Sequence, residues 1–278
     1  MTRDQGIIIG ACAVLCIGIY LFADTKKPAK EKPADVAAAQ GDGHQHEAEA
    51  EVLDIETYIN EVNTQITDKA VAEKVKALTQ TGDYKALLQE YQKIDKPLAI
   101  AYFSVKLAEK EGKPEAYVSA GNYSTMLMQT APDVKARNYL SQNAIKAYEK
   151  AVEMDSATDN KIRLAGAYME GGTAPMQGVS ILLDVVKQDS TNIDALLMLG
   201  RFGIISGQYD KAIARLEKIL YLRPQNSEAL LLMAEAYNGK GDKTKAIELL
   251  ERCKKSVSSP DAKKEIEKYI ESIRKPNG

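Results

Sequence analysis

The residues best equipped for chemistry in this 278-residue chain are few and scattered. Its two histidines, His44 and His46, sit in a polar stretch beside Glu47 and Glu49. A His-x-His pair with nearby carboxylates can hold a divalent ion loosely. A structural or catalytic metal needs three or four ligands oriented by outer hydrogen bonds, and this stretch supplies no such frame. No histidine follows His46, so no general base of that kind, and no Cys–His or Ser–His pairing, is available downstream. No Gly-x-Ser-x-Gly elbow, phosphate-binding glycine loop or His-Glu-x-x-His motif occurs. The carboxylates fall beside lysines at helical spacing, as in Glu248, Glu251 and Lys254, the pattern of a solvated helix face. Cys253 stands where a small core residue belongs, which suits packing rather than reaction. These features predict no enzyme, no metal and no cofactor. With 37 basic and 39 acidic residues, the net charge of −2 also argues against a general nucleic-acid binder.

Two arginines, Arg163 and Arg201, are the sharpest polar candidates. A guanidinium can grip a carboxylate of a partner through two parallel bonds. A competing reading pairs them with the chain's own Glu170 or Asp194.

The elements that carry these residues are helical. From about residue 51 apolar residues recur at helical spacing, broken every ten to twenty residues by Gly, Pro or Asp. Residues 193–226 and 227–260 align as two 34-residue copies. Leu196 falls on Leu230, Gly200 on Ala234, Gly207 on Gly241, Ala212 on Ala246 and Leu216 on Leu250. Small residues at 200, 234, 212 and 246 let two helices of one hairpin approach. Gly207 and Gly241 permit the turn between them. Leu216 and Leu250 are expected to fill the gap to the next unit, and Pro224 fits the turn or first helical position that follows. A third copy, 159–192, keeps Ile162, Gly166, Met169, Gly178, Leu182 and Val185 in frame. Residues 51–158 give looser hairpins, with turns at Gly82 and Gly112, an A helix within 115–130, and a B helix marked by Ala144, Tyr148 and Ala151 after an insertion around 131–133. Residues 261–278 read as a capping helix with Ile266, Ile270 and Ile273 on one face.

This arrangement resembles the tetratricopeptide repeat (TPR) family, whose pattern is bulky-x2-Leu-small-x2-Tyr, then Ala, a large apolar residue, a small residue and Pro. Tyr237 occupies the family's tyrosine position, and Gly203 departs from it one copy earlier. The resemblance implies an all-α fold, a right-handed α-α superhelix whose first ("A") helices line a concave groove. It implies a protein or peptide ligand in that groove. Carried onto this sequence, the family's groove positions are Asn160, Arg163, Ala167 and Glu170, then Asp194, Leu197, Arg201 and Ile204, then Glu228, Leu231, Glu235 and Asn238. The family's carboxylate clamp is not expected, because Ala167 and Leu197 stand where polar residues belong.

Ahead of the repeats, residues 1–5 form a short tail and residues 6–23 an uncharged apolar run, GIIIGACAVLCIGIYLFA. As a helix the run spans about 27 Å, close to the hydrocarbon thickness of a bilayer. It outlasts a usual signal-peptide core, and it continues past Cys12, where a lipoprotein would turn polar. A single-pass anchor in the cytoplasmic membrane is therefore expected. The lysines at 26, 27, 30 and 32 lean the large domain toward the cytoplasm, while the short tail leaves the side open. Gly6 and Gly10 form a GxxxG that could pair two anchors into a homodimer. Residues 24–50, rich in Pro, Ala, Lys and Glu, read as a flexible linker. The layout is similar to single-pass bacterial TPR proteins of the cell envelope. It implies a tethered scaffold that binds a protein partner, with a self-associating structural protein or an assembly factor of the cytochrome biogenesis type as alternatives.

Overall fold

A computed structural model describes residues 51–171 and 174–275. The expected anchor, its GxxxG, the linker and the two histidines lie outside the described residues. Among the described residues there are thirteen α-helices and no strand. None of these helices is long and apolar enough to cross a membrane. The chain divides into two compact units, residues 51–198 and 199–275 of those described.

The first unit contains α1 (Ile55–Thr64), α2 (Lys69–Thr81), α3 (Tyr84–Lys93), α4 (Pro97–Glu111), α5 (Pro114–Met128), α6 (Val134–Met154), α7 (Thr158–Gly171), α8 (Pro175–Gln188) and the first half of α9 (Ile193–Ile205). Local chemistry sets the helix ends. Asp54, Asp68, Asp83 and Asp133 accept backbone N–H bonds at the starts of α1, α2, α3 and α6. Proline opens α4, α5 and α8, where its missing N–H has no partner to lose. Gly82 and Gly112 close α2 and α4 in the left-handed region, at φ 64° and 61°. Residues 51–53 are laced to the start of α6. The Leu53 N–H donates to the Lys135 carbonyl at 3.2 Å, and Asn138 Nδ2 donates to the Glu51 carbonyl at 3.0 Å.

Packing follows a small-against-large logic. Gly121 on α5 lies under the Tyr148 ring of α6, where a Cβ would come within 2.6 Å of a ring carbon. Gly178 on α8 lies on the backbone of α7, and its Cβ would sit 2.5 Å from the Ala165 carbonyl oxygen. A buried polar bridge joins three helices. Asn143 on α6 donates to Ser124 Oγ on α5 at 2.9 Å and to the Ala101 carbonyl of α4 at 3.2 Å.

The second unit holds the rest of α9, α10 (Tyr209–Leu222), α11 (Ser227–Gly239), α12 (Lys243–Ser256) and α13 (Pro260–Arg274). Gly207 and Gly241 adopt φ 71° and 88° in the turns that link α9 to α10 and α11 to α12. Leu216 rests on Gly200 of its own hairpin, with a leucine methyl 3.1 Å from where a Cβ would stand. Leu216 thus serves its own hairpin, a contact that the repeat pattern did not assign to it. Gly203, the departure from the tyrosine position, faces Ala212, and a Cβ there would lie 3.1 Å from the alanine methyl. The missing ring lets α9 and α10 close directly on each other. Tyr237 keeps its ring, which is buried under the Lys245 ammonium at 4.6 Å from the ring centre. Pro224 lies in the turn ahead of α11 rather than within it. Ile266, Ile270 and Ile273 of α13 are buried, while Lys254 of α12 pairs with Glu267 on the outer side.

Candidate functional site

The A-helix positions separate into those that reach the surface and those that do not. Arg163 on α7 is exposed, and its guanidinium donates to Asn122 Oδ1 on α5 at 2.9 Å. The same oxygen accepts the Tyr148 hydroxyl at 2.9 Å. Asn122 therefore ties the A helices α5 and α7 to the intervening α6. In the second unit Arg201 on α9 bridges to Glu228 on α11 at 2.7 Å. Each arginine thus spans from its own A helix to the A helix of an adjoining hairpin. In each unit one such bond joins two A helices.

Glu170, Asp194 and Glu228 are exposed, and Ile204, Leu231, Glu235 and Asn238 are half-buried. Three of the groove positions need correction. Asn160 is 8 % exposed, and its amide donates to the Asp155 carbonyl at 3.0 Å, so it serves the turn between α6 and α7. Leu197 is 8 % exposed and Ala167 1 %, and both are part of the core rather than a contact surface. Counting residues along a repeat fixes the angle around a helix. It does not tell how deeply a neighbouring helix covers that angle. Asn122 and Tyr148 were not among the predicted residues. Their only sequence signal is position, because their partner lies 41 residues from Asn122.

Electrostatics single out Glu235. Burial pushes its carboxyl up to about 7, and the nearby Arg201 only partly counters that rise. Cys253 is buried with its Sγ 3.3 Å from the Ser227 carbonyl, and burial raises its thiol to about 11. A thiol so protonated is a packing group, not a nucleophile. Among the described residues no group of three or more His, Cys, Asp or Glu is placed to hold a metal ion.

Residues 203–263 match the tetratricopeptide repeat family model. That segment carries tetratricopeptide repeat sequence. An 84-residue stretch is 33% identical to the peroxisomal targeting signal receptor of Candida albicans (strain SC5314), over 30% of this chain. The match spans only 14% of that receptor's length. Among solved structures, a thermophilic TPR protein of Thermus thermophilus is 18% identical at a TM-score of 0.48, covering 72% of this chain and 95% of that one. YrrB, described as a TPR protein with an unusual peptide-binding site, is 17% identical at a TM-score of 0.45, covering 69% and 96%.

Proposed function

We propose that this TPR chain is a membrane-tethered adaptor that holds a polypeptide partner against its A-helix faces and thereby assists assembly of an envelope complex. The observation that carries the reading is the bridging of adjacent A helices by Arg163–Asn122 and Arg201–Glu228. In the second unit half-buried Ile204 and Leu231 lie on the same two helices as the Arg201–Glu228 bridge. A chain laid there meets charged anchors and apolar ground together, the mixture that helix-in-groove and extended-peptide recognition exploits. The tether rests on the uncharged run at 6–23, whose length suits a bilayer. The name of the Candida albicans relative, a receptor for a targeting signal, is in keeping with peptide capture.

Capture of partners by the tagged full-length chain tests the proposal. Arg201→Glu combined with Leu231→Arg is expected to reduce recovery of a discrete partner at least about tenfold, a loss typical of removing central anchors. Tyr221→Ala, at an exposed residue of α10, is expected to leave recovery unchanged. Equal recovery with both variants would discredit the A-helix face.

A further inference from the structure

The first unit contains a second feature that the A-helix face does not use. Four aromatic rings meet between α3 and α4. Phe103 stacks on Tyr91 at 5.3 Å and on Tyr84 at 6.0 Å, and Tyr102 meets it edge-on at 4.9 Å. Tyr91 is closed off inside, its hydroxyl donating to Asn63 Oδ1 at 2.8 Å. Tyr84 and Tyr102 are only half-buried, and with Phe103 they border an open cleft of ≈ 260 Å³. Exposed residues of two other helices complete its rim: Glu56 and Asn60 from α1, and Thr79 from α2.

The charges around this cleft cancel. Glu56 and Glu109 are balanced by Lys106 and Lys110, and Lys106 pairs with Glu109 at 3.3 Å. Both lysines already lie over rings of the cleft, Lys106 at 5.6 Å from the Tyr102 centre and Lys110 at 5.9 Å from that of Tyr84. Incoming cations would find those ring faces taken and two ammonium groups repelling them. Anions would meet Glu56. The complementary ligand is uncharged. The volume is below the roughly 300–1,000 Å³ of pockets that enclose a whole small molecule, so it suits one side chain. Ring walls favour another ring, in offset or edge-to-face contact, over an aliphatic group of equal area. Asn60 at the rim can bond an indole N–H or a phenol hydroxyl.

We infer that this cleft anchors a single aromatic side chain, tryptophan or tyrosine, presented by a partner polypeptide. The site is separate from the A-helix face and stands or falls independently of it.

The chain contains no tryptophan, so indole fluorescence reports a tryptophan ligand without background. The probe is the blocked tripeptide acetyl-Ser-Trp-Ser-amide, titrated with the full-length chain. Indole emission is expected to shift to the blue and its anisotropy to rise saturably. The dissociation constant should be of millimolar order, as befits one anchored residue. It should change less than about twofold between about 0.05 and 0.5 M salt, because the cleft is neutral. The matching Leu and Lys tripeptides should compete at least about tenfold less well. Thr79→Arg plugs the rim from an exposed helical position without touching the core, and should weaken binding at least about tenfold. Tyr102→Ala should do the same and Tyr102→Phe should not. Arg201→Glu, which disables the A-helix face, should bind the probe as the natural chain does. An unsaturable response, equal competition by the Leu peptide, or full binding by Thr79→Arg would each overturn the assignment.

Discussion

Gly178→Ala should destabilise the first unit by about 3 kcal/mol or more, although it adds a single methyl group. The added Cβ would stand 2.5 Å from the Ala165 carbonyl oxygen and 2.7 Å from Met169 Cγ. A methionine side chain can swing away, but a helix backbone cannot, so α7 and α8 must separate along their length. Separation exposes Val179, Leu182 and Val185, which are buried on α8. It also strips the close contact that lets α7 present Arg163 beside α5. Gly112→Ala provides the contrast. Nothing lies within 4 Å of the Cβ it would add, and its only penalty is the left-handed φ of 61°, about 1 kcal/mol. Chemical denaturation followed by helical circular dichroism measures both. Similar losses for the two variants would mean that the glycine at 178 serves local conformation rather than interhelical approach.

Glu235→Gln should stabilise the second unit by about 1–2 kcal/mol above neutral pH, with the gain vanishing in acid. Burial raises this carboxyl from its ordinary 4.5 to about 7 in the folded protein. Between those two values the native state holds a proton that the unfolded chain has released. Stability therefore falls as pH rises through this window and levels off above it. Linkage alone sets a ceiling of about 3 kcal/mol, and partial contact with water lowers the expected effect to the smaller range. Denaturation of the natural chain and the variant at about pH 8.5 and about pH 4.5 reads the difference directly. A constant difference at both values would show that Glu235 titrates normally. The same physics bears on recognition. A partner donor placed beside Glu235 would supply what burial took away and draw the carboxyl back toward ionisation.

Four turns between helices were legible in the sequence, because the glycines that set them act locally. Gly82, Gly112, Gly207 and Gly241 could be named as turns before any coordinate, and all four adopt positive φ. The hairpin contacts were legible where one chemical rule suffices. Gly200 and Ala234 had to be small, and the Leu216 methyl against Gly200 shows why. Tyr237 could be placed by its position in the repeat. The site was less legible. Asn160 and Leu197 have the angle of groove residues but lie under a turn and within the core, respectively. The partners of the two arginines, Asn122 and Glu228, come from other hairpins, and no local pattern pairs them. The aromatic cleft gathers residues from four helices between positions 56 and 106, each ordinary where it stands in the sequence.

Site-specific photo-crosslinking in cells tests the central claim most directly. A photoreactive phenylalanine analogue is placed in the full-length chain at Leu231 or at Ile204, half-buried A-helix residues, and in separate variants at Tyr221 or at Met176, exposed residues on the second helices of their hairpins. Crosslinks to one discrete polypeptide from the first pair, and none from the second, are the predicted result. Crosslinks to that polypeptide from Tyr221 and Met176 alone would contradict the account.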